Sequence, residues 1–328
     1  MYYKKALTYK DDFQFFSKEP VIYTKLAMCY KHLQNYEESI KMYEKVYEIY
    51  YKDSVDKAAE ILLCIAQIYN EVYKFEKART VYNRILYSEK KCSPKMTIRA
   101  YLELFELDNN NLELKSALKY IRQALIEAEN LLDPALLAEC YFKYALFLDD
   151  RDELEKAQKY YLRCIQTSNN PSENQYLSSA YVNIAEISIY NKNINAGKMY
   201  YELAVDADKK VNNHEALFYS YSKLAELYKD ESPDKRYEYL VKALSCAKRL
   251  DDISYAVTIY VEIGDYYFAI QDYKRSLKSF ILAKRLSPAH IAPKVTKAIE
   301  TGINKIRMTI GEIEFVQITD EIKKKSNV

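Results

Sequence analysis

A repeat of about 40 residues runs through most of this chain and restricts the folds it can adopt. An apolar residue followed by a small residue, with an aromatic or similar residue three positions on, marks each unit, and these anchors begin at Leu26, Ile65, Tyr144, Ile184, Leu224 and Ile263. The anchors at Ile65 and Tyr144 are two periods apart, and a weaker unit anchored at Leu104 lies between them. A fixed period of this length is typical of stacked repeat architectures, in which each unit is one supersecondary element.

Each unit also has a second half with helical spacing. A small residue follows the anchor in most units, at Ser39, Ala78, Ala117, Ala157, Gly197 and Ser276, and a bulky residue follows four positions later. In the unit anchored at Leu224 the pattern holds only if one turn residue is deleted, which places Arg236 at the small site. Small residues on two facing helices allow close approach, so each unit is predicted to be a helix–turn–helix. Gly197 and Gly264 fall on small sites, where close packing would offset the helical cost of glycine.

This pattern resembles the tetratricopeptide repeat, in which a small residue and an aromatic on one helix face A-x3-F on the next. Tyr or Leu stands where that repeat has its leading tryptophan, and Pro288 stands at its terminal proline. The resemblance implies an all-α, right-handed superhelical solenoid of about seven repeats, of the branch with repeats longer than 34 residues. Phe105 occupies a small site, so the unit over 98–131 is predicted to be locally distorted.

The predicted organisation has three parts. Residues 1–16 resemble the second helix of a repeat and form either a half-repeat of a longer protein or an N-terminal capping helix. Residues 17–288 form seven repeats in one continuous array, and residues 289–328 form two amphipathic capping helices with a basic tail. Partner docking by these last helices is the alternative. Asp- or Ser-type caps before proline predict helix starts at Ser93-Pro94, Asp133-Pro134, Asn170-Pro171, Ser232-Pro233 and Ser287-Pro288.

Composition and motifs argue against several classes of function. Lys+Arg 49 against Asp+Glu 47 gives a net charge of +2, which does not indicate a nucleic-acid-binding protein. No apolar run approaches the roughly 18 residues of a membrane span, and no signal peptide is evident. The six cysteines occur singly, which favours reduced thiols and a cytoplasmic location. No nucleotide, nucleophile or metal motif is present, so no enzyme, cofactor or metal site is predicted.

A protein or peptide ligand is therefore predicted. The resemblance implies that the first helix of each unit lines a concave face, where acidic side chains outnumber basic ones about two to one. An acidic groove would select a basic or polar peptide or a partner helix. The apolar residues expected on this face are Met28, Leu63, Leu102, Phe142, Leu146, Val182, Ile189, Tyr190, Val261 and Phe268. The predicted site residues are Asn70, Glu106, Asn109, Phe142, Asn183, Glu186, Tyr190, Glu226, Asp265 and Phe268.

The leading interpretation is a noncatalytic scaffold or adaptor. The alternative is the peptide-sensing regulatory part of a larger signalling protein, in which a bound peptide shifts the pitch of the solenoid.

Overall fold

A computed structural model of the chain describes residues 19–326, with side chains described to Ile322. The predicted residues 1–16 lie outside this range. Within it the fold is all-helical, and the sixteen described helices are named α1 to α16 in chain order. Their bounds are Glu19–His32, Tyr36–Asp53, Val55–Glu71, Phe75–Leu86, Pro94–Asn110, Leu114–Leu131, Pro134–Asp149, Leu154–Thr167, Leu177–Tyr190, Ile194–Val211, His214–Leu227, Pro233–Ala247, Ser254–Ala269, Tyr273–Leu286, Pro293–Ile310 and Glu312–Ser326.

The first fourteen helices pack as seven successive pairs, α1 with α2 through α13 with α14. The prediction of an all-α fold built from helix–turn–helix repeats is confirmed. In each pair the odd-numbered helix is called the first helix and the even-numbered helix the second. The chain divides into two compact units between Thr167 and Ser168. The N-terminal unit contains α1–α8 and the C-terminal unit contains α9–α16, while one continuous array over 17–288 stays a prediction.

Small residues hold the two helices of a pair together. In the first pair the Ser39 hydroxyl donates to the Ala27 carbonyl at 2.7 Å, and in the last pair Ser276 donates to Gly264 at the same distance. A Cβ on Gly197 would lie 2.6 Å from Ile189, and one on Gly264 would lie 2.8 Å from Phe280. Both glycines therefore serve close packing, as the repeat pattern predicted.

The turns inside the pairs share one backbone feature. Six of the seven place a non-glycine residue in the left-handed region eight residues after the anchor, namely Gln34, Tyr73, Leu112, Asp152, Lys192 and Gln271. The turn from α11 to α12, where the sequence pattern needs a deletion, has no such residue. Short turns of this kind do not require glycine, which explains how a chain with 4 glycines forms seven helical pairs.

Three details of the sequence prediction differ from the structure. Helix α5 runs without a break through Phe105, whose buried ring lies 5.8 Å from that of Phe147. Asn170-Pro171 does not begin a helix, since the Asn170 side chain accepts from the Ser172 amide and closes a turn.

Ser287-Pro288 does not start a helix either. Ser287 ends α14, and the next helix begins at Pro293. The other three Pro sites do begin α5, α7 and α12.

Candidate functional site

Two neighbouring cavities lie between the first helices of the C-terminal unit. Cavity A, about 440 Å³, lies between α9 and α11 and is lined by Ser178, Ser179, Val182, Asn183, Asn213, Glu215, Ala216 and Tyr219. Cavity B, about 370 Å³, lies between α11 and α13 and is lined by Phe218, Tyr219, Ser222, Lys223, Ala225, Glu226, Lys229, Leu240, Thr258, Ile259 and Glu262. Both volumes fall within the ~300–1,000 Å³ of ligand pockets. Tyr219 lines both cavities, so together they form one surface, here called the first-helix face.

The two cavities differ in chemistry. Cavity A presents serine hydroxyls and amides, and Glu215 is its one charged lining residue. Cavity B combines an apolar floor, including Leu240 and Ile259, with charged groups of both signs at its rim. A polar groove that leads into an apolar one can hold a ligand backbone by hydrogen bonds and an apolar side chain by burial.

A network around Glu186 joins three helices beneath this face. The carboxylate of Glu186 accepts from the hydroxyls of Tyr201 on α10 and Tyr219 on α11, the latter at 2.8 Å, and it lies 3.4 Å from Lys223. Burial alone would raise the pKa of Glu186, but these partners outweigh burial and lower it. Glu186 is therefore a charged residue that links three helices through one carboxylate oxygen, Oε1.

Core tyrosines of the second helices make similar bonds in the N-terminal unit. The Tyr82 hydroxyl donates to Glu103 at 3.0 Å, and the Tyr161 hydroxyl donates to Asp149 at 3.1 Å. Both rings are fully buried, and burial raises the pKa of each phenol. Where the core residue is Ile121, Leu240 or Phe280, no hydroxyl is available for this bond.

Glu226 and Asp265 are exposed acids on the first helices, and within residues 19–322 neither forms an ion pair. Partial burial of its carboxyl group and the neighbouring Glu262 raise the pKa of Asp265. Glu262 itself pairs at 3.1 Å with Arg236, which is buried although it occupies a small site of the repeat. Glu226 and Asp265 therefore remain able to meet a cationic group.

The structure brings together only part of the predicted site in the C-terminal unit. Asn183 lines cavity A, Glu226 lines cavity B, and Glu186 contacts their shared Tyr219. Tyr190, which is 73 % exposed, lies outside the lining of both cavities, as do Asp265 and Phe268. The Phe268 ring packs 5.5 Å from Tyr273 and carries Lys305 above it.

The four predicted residues of the N-terminal unit have internal partners. Asn70 donates to the Tyr82 hydroxyl at 3.0 Å, and Asn109 accepts from Arg151 at 2.9 Å. Glu106 pairs with Lys143 at 2.5 Å, and the Phe142 ring lies 5.7 Å from Tyr161. These contacts occupy much of the polar surface that was expected to face a ligand.

Three apolar residues expected on the exposed face are buried. Leu63, Leu102 and Val261 pack within the core and are each at most 8% exposed. The sequence reasoning also missed Tyr219 and Arg236. Tyr219 stands five residues before its anchor, Leu224, on the side of the first helix that the sequence pattern predicts to be exposed.

Among residues 19–322, no group of three or more His, Cys, Asp or Glu side chains is arranged to hold a metal ion. None of the described helices combines the length and apolarity that a membrane span needs. The six cysteines are all free, with Cys140, Cys164 and Cys246 buried.

Comparison with protein families identifies the repeat. Patterns described as "Tetratricopeptide repeat" match residues 19–86 and also residues 138–171, 178–211 and 257–290. No curated protein sequence matches the chain.

Solved structures share the fold at low sequence identity. A Signal Transduction ATPase with Numerous Domains protein with a tetratricopeptide repeat sensor, from Pyrococcus horikoshii, is 16% identical with a TM-score of 0.63, over 94% of this chain and 52% of that one. The C-terminal part of a TPR repeat-containing protein from Cytophaga hutchinsonii is 14% identical with a TM-score of 0.57, over 84% and 98%. Aspartyl phosphate phosphatase F from Bacillus subtilis is 15% identical with a TM-score of 0.55, over 82% and 70%.

Proposed function

Because this chain belongs to the tetratricopeptide repeat family, we propose that it is a noncatalytic interaction module that binds a peptide or a partner helix along its first-helix face. The observation that supports this proposal is the pair of contiguous cavities that share Tyr219. An extended segment lying across α9, α11 and α13 would reach both cavities, with its backbone over the amides of cavity A and a side chain in cavity B.

The ligand is proposed to carry a basic or polar side chain next to the group that enters cavity B. Glu226 at the rim has no ion-pair partner among the described residues, while Glu262 is already paired with Arg236. A ligand ammonium or guanidinium group beside Glu226 would gain a charge-assisted hydrogen bond. Lys229 lines the same rim and would disfavour a ligand with basic residues on both sides.

Reversing the charge of the two unpaired acids, Glu226 and Asp265, should weaken the binding of a basic ligand. The test uses fluorescent peptides of equal length that are Lys/Leu-containing, Ser/Leu-containing or Glu/Leu-containing. The unchanged protein should bind the Lys peptide best, with an affinity that falls as salt rises, because exposed charges are screened over ~8–10 Å. Glu226→Lys with Asp265→Lys should reduce the affinity for the Lys peptide by about tenfold or more, measured by fluorescence anisotropy.

The matched control reverses two acids outside the first helices. Glu300→Lys with Asp320→Lys makes the same change of net charge on α15 and α16, and both residues are exposed. This variant should bind the Lys peptide nearly as well as the unchanged protein. Equal losses in both double variants would mean that only net charge matters, which would contradict a groove at the first-helix face.

The second candidate function is the peptide-sensing part of a larger signalling protein. What supports it is the Pyrococcus horikoshii neighbour, whose tetratricopeptide repeats are described as a sensor. If this candidate is correct, a peptide that binds the first-helix face should also change the scattering profile of the protein. Binding without such a change favours the scaffold. A cytoplasmic location is proposed with either function, on the basis of the six free cysteines.

A further inference from the structure

A third cavity of the C-terminal unit has the opposite charge character. It measures about 260 Å³ and lies where the end of α10, the beginning of α11 and the end of α12 meet. Its lining residues are Lys209, Asn212, His214, Leu217, Tyr221, Lys242, Ser245, Cys246 and Arg249. Three of these are cationic and none is acidic, so the cavity is here called the basic cavity.

The acids that neutralise two of these cations lie outside the lining. Lys209 is 3.2 Å from Asp206 and Lys242 is 2.5 Å from Glu238, and all four side chains are well exposed. Exposed ion pairs of this kind contribute little to stability. Both ammonium groups can therefore exchange these partners for a better-placed anion.

Arg249 and His214 form the third side of the cavity. The Arg249 guanidinium lies 3.2 Å from His214 Nε2. Because a guanidinium can only donate, Nε2 is the acceptor in this contact. His214 Nδ1 is buried and has no hydrogen-bond partner within the described residues. No acid pairs with Arg249 there, so its guanidinium keeps most of its donors for a ligand.

The helix ends do not account for this arrangement. Cations near a helix C-terminus interact favourably with its carbonyl groups, but the effect falls off within the last turn. Lys209 lies in the last turn of α10, whereas Lys242 lies more than a turn before the end of α12. Arg249 lies beyond that helix, and its side chain contacts His214. Helix α10, helix α12 and the turn that follows α12 thus direct cationic groups to one small space.

We propose that the basic cavity binds a small phosphate-type anion, either free phosphate or the phosphoryl group of a phosphomonoester. Its volume is below the ~300 Å³ at which pockets accept drug-sized ligands, so it suits an anion of a few atoms better than a nucleotide. Lys209 and Lys242 supply charge, Arg249 supplies a planar pair of donors, and the Tyr221 and Ser245 hydroxyls line the same space. This site is separate from the proposed first-helix face and does not depend on it.

The experiment titrates the full chain with inorganic phosphate, with phosphoserine and, as a reference, with potassium chloride at matched ionic strength. The chain has only 3 histidines, so the imidazole signals of His32, His214 and His290 can be followed separately by NMR. Saturable changes should be confined to His214, because Arg249 turns from Nε2 toward the bound anion. Binding of phosphoserine but not phosphate would assign the site to monoesters, and equal binding of both would assign it to the shared phosphoryl group.

Variants at the cavity and beside it separate specific binding from net charge. Lys242→Ala and Arg249→Ala should each weaken phosphate binding by about tenfold or more, since each removes a charge-assisted contact. Lys210→Ala and Lys248→Ala remove the same charge from neighbouring residues that do not line the cavity, and these variants should bind within about twofold of the unchanged protein. Phosphate effects no larger than those of chloride, or equal losses in the neighbouring variants, would overturn the proposal.

Discussion

Truncating Phe280 to alanine should lower the free energy of unfolding of the C-terminal unit by about 3–5 kcal/mol. The Phe280 ring is 1% exposed and belongs to the core cluster that joins α13 and α14 to the last two helices. A Cβ on Gly264 would lie 2.8 Å from this ring, and one on Gly302 would lie 2.3 Å from it. The ring thus fills the space that two glycines leave on two different helices, and its removal leaves a cavity that neither helix can close easily.

The same contact predicts that the effect of Gly302→Ala on stability changes sign when Phe280 is also replaced. Gly302→Ala alone should destabilise by about 1–3 kcal/mol, because the added methyl would overpack against the ring. In the Phe280→Ala background it should be neutral or stabilise by about 0.5–1 kcal/mol, because alanine is the better helix former. Urea unfolding of the four proteins measures this coupling. An equal cost of Gly302→Ala in both backgrounds would show that Phe280 does not contact Gly302.

Replacing Asp208 with asparagine should stabilise the C-terminal unit by about 2–3 kcal/mol at pH 7.5. Asp208 is 2% exposed on α10, and its one hydrogen bond from a side chain is from Ser178 at 2.6 Å. Burial raises the pKa of this carboxyl from 3.8 to about 6, although the Ser178 bond opposes the shift. Two pKa units correspond to about 3 kcal/mol between the two protonation states. The ionised carboxylate is therefore costly at neutral pH.

The sign of the pH dependence follows from this raised pKa. Between about pH 4 and pH 6 the folded state binds a proton that the unfolded state has released, so this group's stabilising contribution is lost as the pH rises through that range. Above about pH 6 the loss is complete. Asp208→Asn should flatten this slope in urea midpoints measured from pH 4 to 8, whereas Asp206→Asn, an exposed neighbour on the same helix, should leave it intact. A slope that persists in Asp208→Asn would refute the assignment.

The repeat itself could be predicted from sequence because it depends on side-chain size. Small residues at Ala27 or Ala185 and bulky ones at Tyr82 or Tyr201 recur at fixed spacing, and packing of this kind tolerates few alternatives. The turns were less visible, because a residue such as Leu112 can take the left-handed region at a modest cost that the adjoining helices offset. Only the one-residue deletion from the repeat pattern between α11 and α12 indicated a different turn.

The candidate site was predicted less well, because charged side chains find partners that depend on distances in three dimensions. The excess of acids on the predicted concave face made Glu186 and Glu226 equal candidates for ligand binding. Their surroundings in the structure differ, because Glu186 contacts Tyr201, Tyr219 and Lys223 while Glu226 has no such partners. Arg236 at a small site gave no sequence signal of a buried guanidinium that reaches Glu262. Pairing across helices decides which charges remain for a ligand.

The most direct test of the proposed function is photo-crosslinking from the centre of the first-helix face. A photoreactive phenylalanine analogue at Tyr219, which lines both cavities, should crosslink to the Lys/Leu peptide, and excess unlabelled peptide should abolish the product. The same analogue at Val241, which is 44% exposed on a second helix, should give little product. Efficient crosslinking from Val241 but not from Tyr219 would contradict binding at the first-helix face.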